Sequence, residues 1–288
     1  MIAYIINLAT LIAIFAILSS SMNVLLGYGG IFSAAHAVFM GLGAYAAAQI
    51  ALTVTPEILV ACVVAAVLSA LLSVCLALPA LRVRGEYFVA ASLGLQMLAT
   101  TVFSEAKSVT GGIGGLTGIP QATLFGFKLG NGGVFLAFCL VMLAAVMAII
   151  VLLMRGSFGR SLMALRDNES AAEALGKNVP MLKTLATLAG CAMAGVAGAL
   201  FAFHMQFVNG ESFTMDQSIL IIAMLIIGGT GTLTGPIVGT LALLLLPAAL
   251  SFIPGLPAEH IGALQQFIYG FLMMILMMFR PGGLAGRA

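Results

Sequence analysis

Three histidines, four cysteines and nine carboxylates are the side chains of this 288-residue sequence that could perform acid–base, nucleophilic or metal chemistry. Their spacing supports none of it. His36, His204 and His260 stand far apart and lack the one-turn pairing of a zinc-binding helix. Cys62, Cys75, Cys139 and Cys191 each fall inside an apolar run and form no CxxC pair, so they read as small packing residues. There is no Gly-x-Ser-x-Gly elbow. The glycine-rich stretches 112–118 and 228–236 lack the Lys of a phosphate loop, so no ATP, cofactor or metal site is expected in this chain. His36, within Ser-Ala-Ala-His-Ala, reads either as an interhelical hydrogen-bonding histidine or as one lining a pore.

The elements that must position these residues follow from composition. Hydrophobic residues make up 62% of the chain and charged ones 7%. A soluble domain of this length carries roughly 70 charged side chains; here there are eleven Lys and Arg and nine Asp and Glu. So few charges cannot clothe the surface against water, and its solvent must be lipid. A net charge of +2 without a basic cluster leaves no footprint for nucleic acid. With no Trp, an interfacial aromatic belt would rest on the five Tyr.

Apolar runs long enough to cross a bilayer lie near 2–26, 31–50, 57–78, 87–104, 133–154, 184–206, 235–251 and 261–279. A shorter run, 218–231, suggests a broken or re-entrant helix. The expected architecture is all-α: a polytopic bundle of about eight full spans plus this short helix, in a single transmembrane domain over 1–288. No Lys or Arg precedes the first run, so it is expected to be retained as a helix rather than cleaved as a signal.

Nine of the eleven basic residues fall in alternate connections: Arg82 and Arg84; Arg155, Arg160, Arg166, Lys177 and Lys183; Arg280 and Arg287. Lys107 and Lys128 lie in the others. The positive-inside rule then makes 155–183 and the C-terminus cytoplasmic and the N-terminus external, provided 218–231 reaches the cytoplasmic side. Every Asp and Glu lies in a loop or at a span end, which argues against an ion-gradient-driven secondary transporter, although unwound backbone carbonyls can also hold an ion.

Gly231, Gly235 and Gly239 recur every four residues and are expected to line one helix face. A second glycine-rich stretch holds Ser33, His36, Gly41 and Gly43. Both read as close helix packing or as interruptions beside a polar translocation path. In the 155–183 loop, Ser170 and Glu173 have capping-box spacing, Gly176 is placed to stop a helix, and Ala171, Ala172, Ala174 and Leu175 lie between. Such a helix suits either a cleft on a partner or the headgroup layer.

Asn168-Glu169-Ser170-Ala171-Ala172-Glu173-Ala174-Leu175-Gly176, after Gly159-Arg160-Ser161-Leu162, resembles the cytoplasmic coupling loop of ABC-importer permeases, and more narrowly of branched-chain amino-acid permeases. Arg84-Gly85-Glu86-Tyr87-Phe88, Thr110-Gly111-Gly112-Ile113-Gly114-Gly115-Leu116 and Gly228-Gly229-Thr230-Gly231-Thr232 with Gly235-Pro236 extend the likeness from about residue 84 to 236, and point to the M-type member of the permease pair. The resemblance implies half of a translocation path, a homologous second permease, two cytoplasmic ATP-binding subunits, an external substrate-binding protein and the bacterial inner membrane as its location. It assigns coupling to the ATPase to Arg160, Asn168, Glu169, Ala171, Ala172, Glu173, Ala174 and Gly176, with Ala172 facing the partner cleft. Ser92-Leu93-Gly94-Leu95-Gln96 departs from the Thr-Leu-rich run usual in such permeases. Urea and short-amide importers share this permease type and remain the alternative.

Overall fold

In lipid every backbone N–H and C=O must be satisfied within the protein, and the apolar runs answer by folding as helices. The computed structural model describes residues 2–80, 86–130, 132–250, 258–279 and 282–285. Arg82, Arg84 and Gly85, and Arg280 and Arg287 of the tail, lie outside the described residues, as do the side chains of Cys75, Glu86, Tyr87 and His260.

Helix α1 (Ile2–Asn23) continues into a π-helical turn, Val24–Tyr28. It is followed by α2 (His36–Thr53), α3 (Ile58–Ala80), α4 (Glu86–Glu105), the short α5 (Lys107–Thr110), α6 (Gly133–Arg155), α7 (Ser157–Asp167), α8 (Glu169–Ala174), α9 (Val179–Met205), α10 (Met215–Gly228), α11 (Gly235–Leu250) and α12 (Ala258–Phe279). Strand β1 (Leu116–Thr117) pairs antiparallel with β4 (Phe207–Val208), and β2 (Thr123–Leu124) with β3 (Phe127–Lys128). These ribbons tie the connections at the end opposite α7 and α8. Among the described residues five helical segments are long and apolar enough to cross a membrane: Ile2–Tyr28, His36–Thr53, Phe88–Glu105, Gly133–Arg155 and Val179–Met205.

A helix occupies every expected stretch, with shifted ends. The run expected from residue 31 starts at His36, because Gly29 and Gly30 (φ +65°) end the α1 segment and the chain stays irregular to Ala35. The run expected from 184 starts at Val179. There Asn178 caps α9 by accepting the Met181 N–H at 3.1 Å, and Pro180 sits in the first turn, where its missing N–H costs nothing. The short run is α10, three residues earlier than read.

Helix α9 is the packing centre, against α1, α2 and α3. Glycines bring the backbones together: a Cβ on Gly198 would stand 1.9 Å from the Met40 carbonyl oxygen, and one on Gly43 2.2 Å from that of Gly195. Helices α10 and α11 pack as a hairpin in the same manner, with Gly239 against Met224 and Gly228, and Gly235 against Gly229. Gly231 does not share that face. It lies before α11 begins, in the turn, at φ +72°, so the four-residue repeat of glycines spans a helix end rather than a helix. Tyr28 and Tyr45 are buried, which removes both from the expected aromatic belt.

Candidate functional site

Two of the places where polar side chains meet hold the expected site residues. The first surrounds the start of α2. Ala35 gives that helix no side-chain cap, so its leading N–H groups turn to other elements. Ser92 Oγ of α4 accepts the Ala34 N–H at 3.0 Å, Ser218 Oγ of α10 accepts the Ala37 N–H at 3.1 Å, and Ser33 Oγ accepts the Ala35 N–H at 3.4 Å. Ser218 donates to Gln96 Oε1 at 3.2 Å, and Gln96 Nε2 donates to the Phe213 carbonyl at 2.8 Å. His36 Nε2 lies 2.7 Å from Ser21 Oγ on α1. Because that hydroxyl already donates to the Leu18 carbonyl at 2.6 Å, His36 is the donor and carries its hydrogen on Nε2. Ser33, His36, Ser92, Gln96 and Ser218 are all buried, and together they form an uncharged polar seam joining α1, α2, α4 and α10. Gly41 stands beside it, packed on the rings of Phe213 and Phe103. Gly43 serves the α2–α9 crossing, and Gly235 and Gly239 the α10–α11 hairpin.

The second region is the arm α7–α8. Asn168 Oδ1 accepts the Ala171 N–H at 3.0 Å and is the cap of α8. The expected capping box at Ser170 is therefore displaced by two residues: Asn168 has the extended backbone of a cap, whereas Ser170 is already helical. Gly176 (φ +76°) terminates the helix, as its position predicts, and the Lys177 N–H closes on the Ala172 carbonyl at 3.1 Å. Glu169 pairs with Lys183 of α9 at 2.8 Å. Ala172 is 2% exposed, so it turns into its own chain and does not face outward as expected. Ala171, Glu173, Ala174 and Leu175 form the outer face, with Leu175 78% exposed. Arg160 hydrogen-bonds the Arg155 carbonyl at 3.2 Å and Ser157 Oγ at 3.1 Å, which places it at the α6–α7 joint rather than on α8.

A neutral seam within a helical bundle, with a capped arm packed at one end, holds no catalytic grouping among the described residues. The family profile described as "Branched-chain amino acid transport system / permease component" matches residues 4–277. The chain belongs to that family. The permease is 29% identical over 302 aligned positions to the high-affinity branched-chain amino acid transport system permease protein LivM of Escherichia coli (strain K12), covering 97% of this chain and 69% of that protein. LivM of Salmonella typhimurium (strain LT2) matches with the same identity and coverage. The autoinducer 2 import system permease protein LsrC of Yersinia pestis (strain Pestoides F) is 30% identical over 139 positions, 46% of this chain and 38% of that protein. No solved structure matches. The LivM matches agree with the M-type likeness read from the motifs, and these relatives are transport proteins rather than enzymes.

Sequence reasoning missed several of the residues gathered here. Ser92 and Gln96 were visible only as a departure from the usual run. Ser21 and Ser218 carried no motif at all.

Proposed function

We propose that this permease is the transmembrane subunit of an ATP-driven importer, forming half of the path for branched-chain or other apolar amino acids in the bacterial inner membrane. The reading takes the chain as one permease domain with about eight spans. Helix α10 carries the chain across to the side of α7–α8, that arm and the C-terminus are cytoplasmic, and the N-terminus is external. A homologous second permease, two ATP-binding subunits and an external binding protein complete the assembly, and ATP is bound by those subunits. Support comes first from the family match over residues 4–277.

The geometry favours this over an ion-gradient-driven transporter on one observation. Among the described residues no buried side chain is Asp, Glu, Lys or Arg. A proton- or sodium-coupled carrier typically places carboxylates well inside the membrane as its coupling device. A seam of neutral hydroxyls and amides suits instead a zwitterion with an apolar side chain, selected beforehand by an external protein. Work would then enter through the arm, whose exposed Ala171, Ala174 and Leu175 offer a small apolar face to an ATPase. The test is to purify the chain with its co-associating subunits, reconstitute the assembly in vesicles, and measure uptake of leucine and of urea. ATP-dependent leucine uptake is expected. Uptake by the chain alone under a proton or sodium gradient would overturn the reading, and uptake of urea in place of leucine would reassign the substrate.

A further inference from the structure

At the end of the bundle that carries α7 and α8, three segments remote in sequence converge on one point. The buried carboxamide of Asn23, the last residue of α1 before the π turn, is used at both ends: Oδ1 accepts the Gly231 N–H at 2.8 Å and Nδ2 donates to the Thr232 carbonyl at 2.8 Å. Arg166 of α7 reaches the same place, where Nη1 donates to the Gly27 carbonyl at 2.9 Å. No slack is left between these groups. A Cβ on Gly27 would stand 1.9 Å from Asn23 Oδ1 and 2.5 Å from the Gly231 nitrogen, and one on Gly231 3.1 Å from Arg166 Nη1. Gly30 (φ +65°) lies against the stem of Arg166, with its Cβ position 3.0 Å from Cγ. The arm is thus hooked by Arg166 onto α1, and α1 is clamped by Asn23 onto the α10–α11 turn.

Both branches lead from this node to the polar seam. Two residues before Asn23, Ser21 holds His36 at the first position of α2. From the 229–232 turn, α10 runs back to Ser218, which holds the Ala37 N–H and Gln96. A shift of the arm therefore reaches adjacent positions of one helix start by two routes, through α1 and through α10. Between these attachments lies the π turn Val24–Tyr28, the interruption of the helix at which a second arrangement would be taken up. Past its end the Ile31 N–H bonds back to the Leu25 carbonyl at 2.9 Å, and π turns are wider and less stable than the α-helix they interrupt. Coupling between distant sites requires such a packed, hydrogen-bonded chain joined to a two-state element.

We infer that Arg166 and Asn23 are positioning residues that carry displacement of the α7–α8 arm to the buried seam around His36, Gln96 and Ser218. This rests on the importer reading above and adds the route by which ATPase motion reaches the path.

The experiment compares wild type, Arg166→Gln, Arg166→Lys, Asn23→Ala and the double variant Arg166→Gln/Asn23→Ala in the complete assembly, reconstituted with its ATPases and external binding protein. Insertion, retained ATPase, ATP hydrolysis and leucine uptake are measured on each preparation. Arg166→Gln is expected to retain the ATPase at the wild-type ratio and still hydrolyse ATP, while uptake per ATP falls at least about tenfold. Arg166→Lys, which keeps a cationic donor, is expected to recover much of that ratio. The double variant should be no worse than the poorer single one, since residues acting through one linkage are not additive. Unchanged uptake per ATP in Arg166→Gln overturns the inference. So does a loss that follows lost ATPase in proportion, or losses that multiply in the double variant, because either marks a merely structural contact. Wild-type uptake without ATP would instead sink the importer reading and this route with it, whereas ATP-driven wild-type uptake with an undisturbed Arg166→Gln removes the route alone.

Discussion

At Asn168 the carboxamide oxygen takes the Ala171 N–H, and Ser170 two residues later is left with no capping role. Loss of an N-cap costs about 1 kcal/mol, roughly a fivefold change in a local opening equilibrium. Asn168→Ala is therefore expected to speed amide hydrogen exchange over 169–174 about fivefold, with Ser170→Ala close to wild type; the opposite ranking would restore the capping box. Glycine contacts separate just as sharply. A side chain at Gly198 meets backbone at 1.9 Å, while Gly94 on α4 has nothing within 4 Å. Overpacking a tight contact costs about 1–3 kcal/mol, and more when the neighbour is backbone that cannot rotate away. Gly198→Leu should lower the thermal stability of the detergent-solubilised chain by several degrees or prevent its recovery, whereas Gly94→Leu should melt as wild type does. Equal melting would mean that the α2–α9 crossing tolerates separation.

Helix α8 has an inner and an outer face, and the two should fail differently. Ala172 is buried against its own chain, so Ala172→Arg forces a long charged side chain into that packing and should detach the arm even when no partner is present. Limited proteolysis of the isolated chain within 168–178 reads this directly. Leu175 is exposed, so Leu175→Asp should leave the isolated chain as protease-resistant as wild type. In the assembly it should weaken retention of the ATPase about tenfold or more, equivalent to about 1.4 kcal/mol per tenfold. Full ATPase retention by Leu175→Asp would move the docking surface off the outer face of α8. The element between them and the membrane, α7, is held by Arg166 and by Leu162, which is fully buried beside Gly29. Rigid attachment at this point is what the proposed transmission of motion through a short arm requires.

For the whole molecule the distribution of Lys and Arg predicts an orientation that can be measured. Cys placed at Ser170 should be labelled by a membrane-impermeant maleimide only from the cytoplasmic side, and Cys placed at Gly130 only from outside. Cys62, Cys139 and Cys191 are buried, and Cys75 is replaced by Ser so that its thiol adds no background. Reversed labelling would invert the topology and remove α8 from the ATPase side. The same experiment reports on α10. In the turn that follows it, Gly231 lies beside Gly27 and Arg166, so a Cys at Thr230 should react from the same side as Ser170 if α10 carries the chain across.

The sequence by itself determined the solvent, the fold class and the family. Twenty charges cannot dress this chain for water, lipid then demands helices, and apolar runs mark them to within a few residues because a helix is built from contacts between neighbours in sequence. The motif order from Arg84 to Pro236 carried the resemblance that the family match bears out. The starts of α2 and α9 are set by Gly29-Gly30 and by Asn178-Val179-Pro180, local signals that the apolar runs themselves do not carry. What only the tertiary structure decided was which residues meet. Arg166 finds Gly27 across 139 positions, Ser218 finds Gln96 across 122 and Asn23 finds Gly231 across 208. The same applies to the inward turn of Ala172, which helical spacing left free to face either way. Periodicity tells which side of a helix is apolar, but in lipid nearly every side is apolar, so the pattern that orients helices in water is erased. Close glycine crossings and scattered hydrogen bonds then choose the facing, and they act between helices whose crossing no local run of residues encodes.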